Sequence, residues 1–162
     1  MSRTPPQKSE PNTFGVALIH GGCSTSSDLH HCVPSGHCLS RARLCHLRES
    51  EWIVVTDASV PVGLAAYKRA DGEVRVVHEL LHDHTLAEPD VASITEVLLS
   101  ALEMAAHDDG VRCLTFLLRY SVVIAPFEQR GYTSLALDGS GVWLQRKLGW
   151  RGWCDARSAV QH

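Results

Sequence analysis

The chain has 162 residues, 44% of them hydrophobic and 20% charged, with a formal net charge of −3 and a pI near 6.3. That size holds one core and crowds two independent domains. The charge supplies no basic field for nucleic acid, and no run approaches the roughly 20 apolar residues that span a bilayer.

Residues 1–13 are polar and carry Pro5, Pro6 and Pro11, a composition too poor in apolar surface to order itself, and are expected to form a disordered arm. This leader lacks the apolar core and small-residue cleavage site of a secretory signal. A cytoplasmic protein is expected, with its six cysteines, Cys23, Cys32, Cys38, Cys45, Cys113 and Cys154, mostly reduced and with neither nucleic acid nor membrane as partner.

Residues 14–50 form a Cys/His-rich segment, partly loop. The apolar, β-branched TFGVALIH at 13–20 predicts a short strand ended by Gly21 and Gly22. Beyond it Cys23, Cys32, Cys38 and Cys45 lie among His30, His31, His37 and His46, ligand types that suit zinc. Their spacing lacks the close pairs that aim two ligands at one ion, so a polar loop with incidental thiols is expected and no metal. Leu39 to Glu51, with Leu44 and Leu47 among Arg41, Arg43 and Arg48, predicts a short helix.

From Trp52 the patterning sharpens. EWIVVTD (51–57) and VGLAAYKR (62–69) read as strands joined by a turn at Pro61, and the Asp71-Gly72 turn leads into a third, EVRVVHELLHD. After Pro89-Asp90 the positions Val91, Ile94, Val97, Leu98, Ala101, Leu102 and Ala105 follow the amphipathic helical period, predicting a helix that begins near Val91 and stops at Asp109-Gly110. VRCLTFLLR (111–119) is a near-continuous apolar run, the mark of a central strand covered on both faces. Strand, crossover helix and apolar strand make a βαβ unit, so this strand is expected to pair parallel to EVRVVHELLHD. A short helix in SVVIAPFEQRGY (121–132) and two closing strands, TSLALD and GVWLQRKL, follow, with residues 149–162 as a tail. Cys113 reads as a small core residue and Trp143 as core, while Trp150 and Trp153 are expected to cover the domain's flank or meet a partner.

Three antiparallel strands, a βαβ crossover, a short helix and a final hairpin resemble the layout of the GNAT superfamily of N-acetyltransferases, over residues 52 to 148. The local likeness lies in PFEQRGYTSLALDGSGVWLQRKL, through Phe127, Glu128, Gly131 and Tyr132 with Val142 and Trp143 in the closing strand, and in LLSALEMAAHDDGVRCLTF. The resemblance implies an α/β (α+β) fold with a mixed central sheet, antiparallel N-terminal strands and a parallel βαβ pair flanked by helices. It implies acetyl transfer from acetyl-CoA as co-substrate to the amine of a small molecule or peptide, in a monomer or homodimer.

By the same resemblance the coenzyme would lie against Leu81, His82, Asp83 and Phe127, with backbone amides of Ala92, Ser93, Ile94 and Thr95 at a helix N-terminus cradling its pyrophosphate. Asp90, Ser93 and Thr95 stand where the family has Gln or Arg, Gly, and Gly or Ala. Glu79 matches the family's proton acceptor, with His78, His82 and His84 as alternatives. Phe127 stands where a tyrosine usually protonates the leaving thiolate, and Tyr132 is the nearby phenol. A catalytically inactive binding or regulatory domain on the same scaffold is the alternative reading.

Overall fold

The computed structural model describes residues 13–20, 26–68, 74–119, 124–139 and 141–149. The expectations for the N-terminal arm, the Asp71-Gly72 turn, Trp150 and Trp153 lie outside them. Among the described residues seven strands form one sheet in the order β1-β2-β3-β4-β5-β7-β6. They are β1 (Gly15–His20), β2 (Glu51–Asp57), β3 (Val60–Lys68), β4 (Val74–His82), β5 (Cys113–Leu118), β6 (Thr133–Asp138) and β7 (Gly141–Lys147), and only β4 and β5 pair parallel. The mixed sheet and the βαβ unit are as predicted; β7 comes between β5 and β6.

One helix folds where the sequence suggested loop, and a second lies within the short helix predicted over Leu39 to Glu51. α1 (Ser26–Cys32) and α2 (Arg41–Arg48) cover one face of the sheet, α2 being capped by the Ser40 hydroxyl, which accepts from the Arg43 amide. Leu29 of α1 and Leu47 of α2 are fully buried against Trp52, Val54, Leu64, Ala66 and Leu81. Each such leucine contributes roughly 1.5–3 kcal/mol on leaving water. The Trp52 indole N–H donates to the Leu47 carbonyl at 2.8 Å, so the tryptophan is satisfied as well as buried.

α3 (Glu88–Asp108) and α4 (Ala125–Gln129) cover the other face. Ile94, Leu98, Leu99 and Leu102 of α3 meet Ile53, Val55, Ala65 and Tyr67, while Phe116, Phe127 and Tyr132 form edge-on aromatic contacts beside them. Successive residues of β2 thus feed opposite cores, which is why its apolar run is unbroken. α3 stops where the Gly110 backbone turns to φ +73, with the Val111 amide reaching back to the Ala106 carbonyl at 2.8 Å.

Gly63 lets α3 lie this close: a Cβ there would sit 2.5 Å from Ile94 Cγ2 and 3.3 Å from Leu98 Cδ1. Gly63→Ala is therefore expected to lower stability by about 1–3 kcal/mol through overpacking, read as a drop in thermal midpoint. An unchanged midpoint would mean that α3 shifts freely.

Candidate functional site

β4 and β5 are paired from Val74↔Cys113 to Val77↔Phe116 and then part. A cleft of about 350 Å³ opens in the gap, walled by His78 to His84 and Leu86 on one side, Leu117 of β5 and the following Arg119 on another, and His37 and Arg43 from the α1/α2 layer. Val91, in the first turn of α3, closes one end.

A bulge in β4 sets what faces this space. Glu79 pairs with Ala66 and Val77 with Tyr67, so His78 is an extra residue with no partner in β3. Strand alternation would send His78 and Glu79 to opposite faces; the bulge lets both meet α2. The Glu79 carboxylate receives two bonds from Arg43 of α2, Nε at 2.7 Å and Nη2 at 2.5 Å, in the bidentate geometry that binds carboxylates most firmly. The His78 ring lies edge-on to His46, 4.7 Å between centroids, and its Nε2 is 2.8 Å from the Ser50 hydroxyl. Burial and then the neighbouring His46 push His78 down to about 4, so the ring is neutral at pH 7.

His82 points the other way, towards α3. Its Nε2 lies 2.9 Å from Thr95 Oγ1, and Thr95 in turn donates to the Val91 carbonyl at 2.8 Å. A hydroxyl has one proton, so with that proton on Val91 the imidazole is the donor and its Nδ1 keeps a lone pair. Burial, with a contribution from His37, also lowers His82 to about 4. His37 donates from Nε2 to the His82 carbonyl at 2.7 Å and lies edge-on to His84, tying the loop between α1 and α2 to the end of β4.

The β4 backbone adds donors that the sequence did not reveal. The Asp83 amide donates to the Val62 carbonyl of β3 at 3.0 Å. Alternation then turns Leu81 towards β3 as well, and aims the amides of Leu80 and His82 away from it, towards the gap. Leu81, expected to bind coenzyme, lines the cleft but buries its side chain among the α1/α2 core. Asp83 is held below the usual carboxylate range, first by the Thr85 amide and then by the Thr85 hydroxyl, both on Oδ1.

Other expected site residues stand elsewhere. α3 begins at Glu88 rather than Val91, so the Ala92, Ser93, Ile94 and Thr95 amides belong to the body of the helix and not to its open end. Ile94 is core, Thr95 serves His82, and the Ser93 hydroxyl donates to the Pro89 carbonyl. Phe127 is fully buried against Phe116 and Tyr132, away from the cleft. The Tyr132 hydroxyl donates to Glu103 of α3 at 3.0 Å, and burial raises its pKa far above the ordinary phenol value. It is a structural hydrogen-bond donor, joined on Glu103 by Arg130 and Arg146. Cys113 is buried as expected, and Trp143 is half-buried. Among the described residues Cys38, Cys45 and Cys113 are free thiols, and no group of three or more His, Cys, Asp or Glu is arranged to hold a metal ion.

No protein-family model matches the chain, and no curated protein matches it. Solved structures do. The ribosomal-protein-S18-alanine N-acetyltransferase of Escherichia coli aligns with a TM-score of 0.63 at 12% identity, over 87% of this chain and 97% of that one. A GNAT family acetyltransferase from Elizabethkingia anophelis with acetyl-CoA bound gives 0.60 at 11% identity, over 86% and 100%. The PaiA N-acetyltransferase of Thermoplasma acidophilum in complex with coenzyme A gives 0.56 at 11%, over 83% and 99%. The likeness is one of fold: this chain shares with these acetyltransferases its mixed sheet, with a parallel pair, and flanking helices.

Proposed function

We propose, starting from the fold this chain shares with GNAT acetyltransferases, that it is an N-acyltransferase moving an acyl group from an acyl-CoA-type thioester to an amine of a small molecule or peptide. The observation that carries this reading is the parting of β4 and β5 beyond Val77 and Phe116, which opens a polar cleft beside an unpaired strand edge. In such a transfer the amine nitrogen attacks the thioester carbon. A carbon–nitrogen bond forms, the carbon–sulfur bond breaks, the amine gives up a proton and the sulfur takes one.

The outward amides of Leu80 and His82 suit the amide groups of a pantetheine arm laid along β4. Glu79 spends one lone pair of each oxygen on Arg43 and keeps others for the acceptor's ammonium. His78, neutral and beside it, is a hydrogen-bond partner rather than a strong base. Among the described residues no tyrosine lines the cleft, so water protonates the departing thiolate and turnover is slow. One observation favours a second reading, a non-catalytic binding module: the proton acceptor expected from the sequence is bound bidentately by Arg43.

Incubation with an amine panel and either acetyl-CoA or S-acetyl-pantetheine, followed by thiol release, tests the proposal. Amine-dependent release is expected, falling about a hundredfold in Glu79→Gln. Release from neither thioester would reject acyl transfer and leave the binding module.

A further inference from the structure

The end of α3 that closes the cleft is where a helix would ordinarily offer free amides to a phosphate. Here those amides are already used. The Asp83 amide donates to Val62, His84 to Ser35 at 3.3 Å, Thr85 to the Asp83 side chain at 2.8 Å and Leu86 to the Asp83 carbonyl at 3.3 Å. Pro89, in the first turn of the helix, has no N–H. The Asp90 and Val91 amides both donate to the Ala87 carbonyl, at 3.0 and 3.1 Å. From Asp83 to Val91 only Ala87 and Glu88 keep amides without a described partner, too few to wrap a diphosphate. The N-cap residue Ala87 contributes no side-chain group, and the first turn carries two exposed carboxylates, Glu88 and Asp90. These complement the helix dipole themselves and set negative charge where a diphosphate would bring more.

We infer that the donor of this chain is recognised through its acyl-pantetheine arm alone, and that the nucleotide diphosphate of coenzyme A has no grip on the protein. This rests on the acyltransferase reading and deepens it by naming the donor class: pantetheine thioesters, with or without a nucleotide. The arm would still find the Leu80 and His82 amides, because the parted edge of β4 is independent of the α3 end. Among the described residues Arg119 is the cation on the cleft wall that makes no ion pair; standing at the end of β5, it lies on the opposite side of the gap from β4.

Calorimetry with pantetheine, coenzyme A and adenosine bisphosphate, the nucleotide half of the coenzyme, tests the inference. Pantetheine and coenzyme A are expected to bind within about threefold of each other and the nucleotide half not at all. Glu88→Gln combined with Asp90→Asn should then tighten coenzyme A and leave pantetheine unchanged. A preference of the unaltered protein for coenzyme A of about thirtyfold or more, binding of the nucleotide half, or an Arg119→Ala variant that weakens coenzyme A alone would each overturn it. So would the absence of binding by all three. Equal binding of arm and coenzyme without thiol release would instead sustain the donor site and reject the catalytic reading.

Discussion

Asp109→Ala is expected to cost the fold about 3–5 kcal/mol, because it strands a buried guanidinium. Arg75 at the start of β4 is 1% exposed, and its Nη2 donates to the Asp109 carboxylate at the end of α3. Among the described residues its Nε and Nη1 have no hydrogen-bond partner, and the guanidinium carbon lies 4.5 Å from the centre of the Tyr67 ring. The charge is thus compensated, among the described residues, by one carboxylate and one aromatic face. Removing the carboxylate keeps the desolvation cost and discards most of the return. Arg75→Met removes charge and cost together, so it should be milder than Asp109→Ala, and the double variant should be more stable than Asp109→Ala alone. Urea denaturation of the four proteins gives the coupling directly. A loss below about 1 kcal/mol in Asp109→Ala would mean that Arg75 is hydrated and the pair contributes little.

The same pair shows why parts of this fold were legible and parts were not. Strands β2 to β5 and the body of α3 announce themselves through periodicity, since each buries apolar residues at a fixed interval. Arg75 interrupts the run VRVV without breaking the strand, and nothing in its neighbours names Asp109, 34 residues away, as its partner. α1 was hidden because its seven residues, SSDLHHC, show no apolar stripe; Leu29 alone is its fully buried apolar anchor. The early start of α3 was readable in principle. Pro89 with Glu88 and Asp90 is a first-turn signature, but the apolar stripe begins only at Val91 and outweighed it.

At the site, His78, Glu79, His82 and Asp83 line one cleft, as neighbours on one strand end do. The sequence did not show how they divide. Which face each side chain meets depends on a bulge defined only by the pairing of β4 with β3, and the partner of Glu79 comes from α2, 36 residues earlier. Tyr132 stands apart from the cleft for the converse reason. Closeness to Phe127 in sequence put both into the aromatic cluster under α3, away from the gap.

Acidification should destabilise this protein from about pH 6.5 downward, before most carboxylates begin to take up protons. His78 and His82 are lowered to about 4 from the ordinary 6.5, in both cases chiefly by burial, aided by His46 beside the first and His37 beside the second. In the unfolded chain each binds its proton near 6.5, so unfolding takes up protons between pH 6.5 and about 4, and stability falls as pH drops through that window. The penalty is on the order of 3 kcal/mol at the acid end for His82, the more buried ring, and smaller for His78, whose partial exposure lets water screen its charge. Asp83 has the opposite sign and a lower window: Thr85 holds its carboxyl below the usual value, so its contribution is intact above about pH 4 and is lost only below it. Urea denaturation between pH 7.5 and 4.5 isolates the histidines. The unaltered protein should lose several kcal/mol across this range, and a variant carrying His78→Gln with His82→Gln should lose much less, even if it starts from a lower stability. Parallel curves for the two proteins would show that both rings gain protons without unfolding, and would remove the argument for neutral imidazoles in the cleft.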